Sequence, residues 1–155
     1  MNQQQIKDIF EYHEGKLLWK VRKACNTKIG REAGSTDYQG YKIVRVNKKQ
    51  HKIHRLIFCM FYGYLPKKVD HIDGNPANNL IANLRAASDS ENQYNRKTNS
   101  NNKFGIKGVS YWNGKYRVQL QANKKKMHIG VFEDLELAEL VAIEARDKYH
   151  RGFAK

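Results

Sequence analysis

Between Val69 and Asn95 the chain reads VDHIDGNPANNLIANLRAASDSENQYN, and no other stretch restricts the possible fold so tightly. Lys68 to His71 reads as a short strand that ends on the histidine. Asp73-Gly74-Asn75-Pro76 is dense in turn formers, so the chain must loop there. Leu84-Arg85-Ala86-Ala87 predicts a second short strand, and Ser88 with Glu91 three residues on is a capping box that starts a helix. Asn92 then falls in the first turns of that helix. A strand, loop, strand and helix of this size can gather Asp70, His71 and Asn92 around one point. A carboxylate and an amide oxygen are hard ligands suited to Mg²⁺ or Mn²⁺, and the neighbouring imidazole can take a proton from water.

An isolated Asp-His pair carries little information. Here it stands in register with Asp73-Gly74-Asn75, Asn78-Asn79, Asn83-Leu84-Arg85, Glu91-Asn92 and Asn95. This pattern resembles the HNH nucleases, the ββα-metal finger family, and within it the subgroup carried by phages and mobile introns. The resemblance implies that His71 is the general base, that Asp70 and Asn92 bind one catalytic Mg²⁺ or Mn²⁺, and that Asn83 braces the loop and the histidine. Many members have His at the third signature position, where this chain has Asn92. That departure occurs in the homing subgroup and tells against zinc more than against a nuclease. Some HNH proteins also carry a zinc knuckle of paired Cys-x-x-Cys motifs. The two cysteines here, Cys25 and Cys59, are isolated, so no structural zinc is expected and both are read as reduced thiols.

The net charge of +14 over 155 residues points to a polyanionic partner, most often nucleic acid. Its distribution sharpens the point. From Asn92 to Phe132 there are nine Lys or Arg and no Asp or Glu, whereas Glu133 to Lys155 holds six acidic and four basic residues. No apolar run approaches a membrane span and residues 1–10 lack a signal-peptide pattern, so the expected location is the cytoplasm, with no membrane partner. The resemblance to the phage-carried subgroup implies the cytoplasm of an infected bacterial host.

Ahead of the finger, residues 2–12 predict a short helix with Ile6, Ile9 and Phe10 on one side, and Lys16 to Val21 a strand. Arg22 to Gly40 has no clear placement. Tyr41 to Val46 alternates as a strand, Asn47 to Gln50 turns, and His51 to Ile53 returns. The apolar run from Leu56 to Tyr62 is too long and unbroken for a surface strand and reads as a buried helix against which the finger packs. The stretch from Gly40 to Leu56 resembles the region preceding the finger in the same subgroup. That resemblance makes His54 and Arg55 supporting residues near the site, while the plainer reading of His54 is a helix-start histidine that packs or caps. His13 and His51 are read as surface residues.

Arg96 to Lys103 has no apolar residue and reads as a linker lying along DNA. Beyond it come three strands. Val109 to Trp112 leads through Asn113-Gly114, a strong hairpin turn, into Lys115 to Gln121, where Tyr116, Val118 and Leu120 face one way and Lys115, Arg117, Gln119 and Gln121 the other. Lys126 to Val131 is expected to place Met127, Ile129 and Val131 inward, with Lys126 and His128 outward. A helix from about Leu135 to Tyr149, capped by Asp134, offers Ala138, Val141, Ala142, Ala145 and Tyr149 as an apolar stripe to cover the sheet. The helix is acidic and the sheet basic, so the sheet is the face presented to DNA. This module resembles the APETALA2-type DNA-binding domain of plant ethylene-response factors, which also occurs in phage HNH endonucleases and whose three-stranded sheet enters the major groove. Matched to its contact positions are Lys107, Ser110, Trp112, Gln119, Gln121, Lys126 and His128, with Arg117 added from strand parity. Lys97 and Lys103 complete the expected DNA contacts as phosphate binders. Several arginines of the plant pattern are replaced here, at Ser110 and Gln121 for example, so the plant target sequence does not carry over.

The sequence therefore implies an α+β protein: a ββα-metal finger domain followed by a small three-stranded antiparallel sheet packed on one helix. Its divisions are an HNH nuclease domain at 1–95, a basic linker at 96–103 and a DNA-binding domain at 104–155. The expected function is a metal-dependent endonuclease of the phage homing type acting on double-stranded DNA, as a monomer or a DNA-induced dimer. Two rivals stand beside it. One is a sequence-specific DNA-binding regulator with a catalytically silent finger. The other is an RNA-binding protein, which would need exposed aromatic rings for base stacking.

Overall fold

The computed structural model describes residues 1–22, 27–95, 98, 101–122, 125–150 and 153. The chain divides into two compact units, Met1–Ala87 and Ser88–Lys155. Both mix α and β, with small antiparallel sheets and four α-helices among the described residues.

In the first unit α1 (Gln3–Ile9) starts at a capping box in which Asn2 and Gln5 satisfy each other's backbone N–H groups. The helix ends at Ile9, three residues short of the expected 2–12. Phe10 opens β1 (Phe10–His13) instead, and is still only 1% exposed. β1 pairs with β2 (Lys16–Trp19) across Glu14-Gly15, both at positive φ, which is the turn geometry that matches strand twist in a two-residue hairpin. A second sheet runs β3 (Ser35–Thr36), β4 (Lys42–Val46), β5 (Lys49–Lys52), with Asn47-Lys48 making the same kind of turn. The stretch that sequence reasoning left unplaced thus supplies β3 and the buried Ala33. Gly34 beside it has φ +92, and a Cβ there would overlap the Ile43 carbonyl. Cys25 lies outside the described residues.

α2 (Ile53–Tyr62) is the centre of this unit, with Ile53, His54, Leu56, Ile57, Phe58, Cys59 and Met60 all buried. A helix apolar on nearly every side belongs inside a core. Its cluster takes in Ile6, Phe10 and Leu17 from the N-terminal elements, and Val69 and Leu84 from β6 (Lys68–His71) and β7 (Leu84–Ala87). β6 and β7 pair antiparallel, with a single 3₁₀ turn over Ile81–Asn83 leading into β7. Cys59 is a buried free thiol.

The second unit opens with α3 (Asp89–Tyr94). Its capping box is in place: Glu91 N–H donates to Ser88 Oγ at 3.2 Å, and Ser88 N–H to Glu91 Oε2 at 2.7 Å. β8 (Val109–Trp112), β9 (Lys115–Ala122) and β10 (Lys125–Phe132) form a three-stranded antiparallel sheet with β9 in the middle. α4 (Leu135–His150) covers one face, where Ala138 and Ala142 pack with Ile106, Val109 and Val118. Its first turn is capped by Asp134, whose Oδ1 accepts from Leu137 N–H at 2.7 Å.

Two expectations for this unit are corrected. Val131 does not point inward. A bulge between His128 and Gly130 inserts Ile129 as an extra residue and inverts the parity beyond it, so Val131 lies opposite Arg117 and Phe132 packs into the core. Tyr149 is likewise exposed, and His150 takes the buried place on α4. No helix among the described residues is long and apolar enough to cross a membrane.

Candidate active site and nucleic-acid interface

β6 and β7 set the first group of residues. In their register Asp70 lies opposite Arg85 and His71 opposite Leu84. Asp70 and His71 are both buried, at 7% and 5% exposure. Arg85 donates to Asp70 Oδ2 from Nε at 2.9 Å, and Nη2 lies 2.9 Å from the same oxygen. The pair is directly cross-strand, where side chains of opposite charge stand closest.

His71 Nε2 lies 2.9 Å from Asn79 Oδ1, and both residues are buried. The Asn79 amide nitrogen turns the other way, toward the Ala77 carbonyl at 3.4 Å. Oδ1 accepts only, so Nε2 carries the hydrogen, and in a neutral imidazole Nδ1 is then the basic nitrogen. This assignment comes from the hydrogen-bond pattern.

Asn83 does something else. Its Oδ1 accepts from Asp73 N–H at 3.0 Å, while Nδ2 donates to Asp73 Oδ1 at 2.9 Å and to the Asn78 carbonyl at 2.8 Å. Its bonds run to the loop, whereas the His71 ring is hydrogen-bonded to Asn79. Asp73 also receives Asn75 N–H at 2.8 Å and Asn78 Nδ2 at 2.6 Å. Desolvation works against its charge, but the hydrogen bonds from Asn75, Asn83 and Asn78 outweigh it and hold the carboxyl below its usual range.

The N-terminal hairpin supports this loop from the side. Tyr12 Oη accepts from Ile81 N–H at 3.2 Å. At Gly15, φ +81, an added Cβ would stand 3.0 Å from Leu80 N and 3.1 Å from the Asn79 carbonyl carbon. The residues before the finger thus help hold Asn79.

His54, the second residue of α2, is 4% exposed. Its ring meets His71 edge-on, 4.9 Å between centroids, and lies 5.4 Å from Tyr41. Burial first, then the neighbouring His71, Lys52 and Arg55, push it down to about 3, so it is neutral at ordinary pH. Its Nδ1 is buried with no hydrogen-bond partner among the described residues. Arg55 donates to the Lys67 and Pro66 carbonyls, both at 3.1 Å, and so fixes the approach to β6. His13 is exposed as expected, whereas His51 is partly buried in β5.

In the second unit Asn92 sits half-buried on α3, its N–H bonded to the Ser88 carbonyl at 3.1 Å. The sheet brings most expected DNA contacts together on the face away from α4. Ser110 lies opposite Arg117, His128 opposite Gln119, and Lys126 opposite Gln121. Trp112 is half exposed, with the Arg117 guanidinium 5.6 Å from its ring centre. Lys107 lies before the strands, and its Nζ donates to the Tyr94 carbonyl at 2.6 Å. Lys103 is exposed, and Lys97 lies outside the described residues, as does part of the expected linker.

Sequence reasoning gave no role to Asn79 or Arg85. Asn79 had a signal in the doubled amide of Asn78-Asn79, but nothing said which of the four loop asparagines meets the ring. Arg85 had one in its equal distance from the loop on the other strand, which makes it the register partner of Asp70.

Residues 51–94 match the HNH endonuclease family. "Protein 3.8" of Escherichia phage T7 is 37% identical over 99 residues, 60% of this chain and 79% of that protein. The "Uncharacterized HNH endonuclease L560" of Acanthamoeba polyphaga mimivirus is 40% identical over 70 residues, 43% of this chain and 37% of that protein. No solved structure matches. The family match runs from β5 through α3, across Asp70, His71, Asn79, Asn83 and Asn92, and the chain covers most of the phage relative: it belongs to one family with Protein 3.8 of phage T7, and its residues 51–94 are an HNH endonuclease domain.

Proposed function

We propose that the chain is a divalent-metal-dependent DNA endonuclease of the phage homing type, working in an infected bacterial host. Residues 1–95 form the nuclease domain with a ββα-metal finger at 69–95, residues 96–103 a basic linker, and residues 104–155 an APETALA2-type DNA-binding domain. The observation that carries the reading is the His71–Asn79 hydrogen bond. It leaves the basic nitrogen of a buried imidazole as Nδ1, which suits His71 to take a proton from the water that attacks phosphorus.

Asp70 and Asn92 are the residues to hold the metal. The donor set fits: an oxygen anion that folding already accommodates beside a cation, with a neutral amide oxygen. Among the described residues no three His, Cys, Asp or Glu side chains group around a point. When bound, the ion supplies Lewis-acid stabilisation of charge on the scissile phosphate. The protein's own residues do the rest. His71 receives the proton, Asn79 holds its ring, Asn83 and Asp73 hold the loop, and His54 with Tyr41 walls the imidazole.

The sheet is the reader. Arg117, Gln119 and Gln121 alternate along β9 on the face away from α4, Gln121 exposed and the other two partly buried, flanked by the exposed Lys126 and His128, and such side chains discriminate guanine and adenine edges in the major groove.

The test is supercoiled plasmid incubated with Mg²⁺ or Mn²⁺. Wild-type protein is expected to nick or linearise it, and His71→Ala to bind DNA without cutting. A purified wild-type protein that binds duplex DNA but leaves the plasmid supercoiled at every Mg²⁺ and Mn²⁺ concentration supports the regulator with a silent finger instead.

A further inference from the structure

Arg85 takes no part in the chemistry described so far, yet it holds the one carboxylate assigned to the metal. Two of its nitrogens lie at 2.9 Å from Asp70 Oδ2. The side chains are only 19% and 8% exposed, so their attraction is poorly screened by solvent. Strand register fixes the pair, since Asp70 and Arg85 are directly opposed in the β6–β7 ladder. The guanidinium therefore holds one of the two Asp70 oxygens and sets a positive charge against the carboxylate that an incoming cation would use.

From this geometry we infer that Arg85 is a positioning residue that competes with the divalent ion for Asp70, so that metal binding by the free protein is suppressed and becomes coupled to DNA. This rests on the metal reading of Asp70 given above. A guanidinium and a dication on one carboxylate repel each other, so the ion enters fully only when the guanidinium has somewhere better to go. A backbone phosphate offers that place. It presents oxygens in the geometry a guanidinium fork matches, and it carries the charge that Asp70 surrenders to the ion. DNA binding thus releases Asp70, and the released carboxylate raises affinity for the ion. By linkage, the ion raises affinity for DNA by the same factor. The arrangement keeps the nuclease weakly loaded when no DNA is present. It also makes Arg85 specific in kind: a lysine in its place keeps the charge but not the fork.

The experiment measures Mn²⁺ affinity of the full-length protein by paramagnetic resonance, without DNA and with a short duplex, in a His71→Ala background that prevents cutting. Arg85→Gln is the informative variant, because it keeps a donor to Asp70 and removes the charge together with one of the two contacts. Its thermal melt checks that the fold survives. The expected result is Mn²⁺ binding about tenfold or more tighter than the parent in the absence of DNA, from loss of a cation within contact distance. Added duplex should then tighten Mn²⁺ binding less in Arg85→Gln than in the parent, and Arg85→Lys should fall between. Asp70→Asn separates the two ideas. If Asp70→Asn loses Mn²⁺ while Arg85→Gln binds it no tighter than the parent, the competition is overturned and the metal reading stands. If Asp70→Asn binds Mn²⁺ as the parent does, the metal is not on Asp70 and both ideas fall.

Discussion

Replacing Asn79 by alanine tests the active-site geometry most directly. Asn79 is 3% exposed and His71 5%, and one hydrogen bond of 2.9 Å joins them. Water has little access to take over the bond. A buried donor left unsatisfied costs about 1–3 kcal/mol. That cost is met in one of two ways. If the ring stays, the fold loses the whole amount. If the ring turns, or its hydrogen moves to Nδ1, the fold recovers part of it and catalysis loses the correctly placed base. The second route corresponds to a fall in rate of roughly 5- to 150-fold, with little change in DNA affinity. Single-turnover cleavage of a plasmid at saturating metal reads the rate, and a thermal melt reads the stability. Asn79→Asp keeps an oxygen acceptor at the same place and is expected to recover most of the rate. Asn83→Ala removes three loop bonds and should lower stability more than Asn79→Ala does. An Asn79→Ala protein that both cuts at the wild-type rate and melts as the wild type does, while a still-folded Asn83→Ala cuts slowly, would refute the reasoning and return the histidine brace to Asn83.

Three other outcomes are expected. His71→Ala should slow cleavage by about 10²- to 10⁴-fold while DNA affinity stays near wild type, measured by single-turnover cleavage and by binding to uncleaved duplex. Gln119→Ala or Gln121→Ala should relax preference at about one base position each, at about 1–3 kcal/mol, whereas Lys103→Ala should weaken all sequences alike and reduce the salt slope by about one unit. Binding to matched and mismatched duplexes across a salt series separates the two effects. His54 should make the fold acid-sensitive. Its folded value of about 3 lies below the unfolded 6.5, so the unfolded chain takes up the proton first. Its contribution is intact above pH 6.5 and lost as pH falls toward 3, by roughly 5 kcal/mol at most. Denaturant midpoints from pH 7 to 4 should fall less steeply in His54→Gln.

The parts of the fold that local chemistry dictates were legible. β6, β7, the Ser88 capping box and the Asn113-Gly114 hairpin stand where their residues imply, because each depends on neighbours a few positions away. The errors come from effects that period counting does not contain. One extra residue at Ile129 inverted the parity of β10 and exchanged Val131 for Phe132. At the end of α4, Tyr149 keeps helical spacing yet remains exposed, while His150 is held by ring stacking on Tyr94 at 3.7 Å and by a hydrogen bond with the Gln121 carbonyl at 3.0 Å. Those contacts join residues 29 and more positions apart, and no local pattern announces them.

The site shows the same division at finer scale. Residue types and spacing supply the reactive groups, Asp70 and His71, but not the groups that set their state. Which amide meets His71 depends on the path of a loop held by Asp73, Asn83 and the Gly15 turn, three parts of the chain whose contacts form together. Which cation meets Asp70 depends on strand register, and a slip of one residue would put Arg85 on the other face of the ladder. The same dependence explains why the N-terminal hairpin, with no chemistry of its own, bears on the chemistry. Tyr12 and Gly15 press on Ile81, Leu80 and Asn79, so a bulky residue at position 15 would displace the loop amide before it disturbed any reactive group. A change there would therefore appear as a loss of rate whose cause lies more than fifty residues from the histidine in sequence.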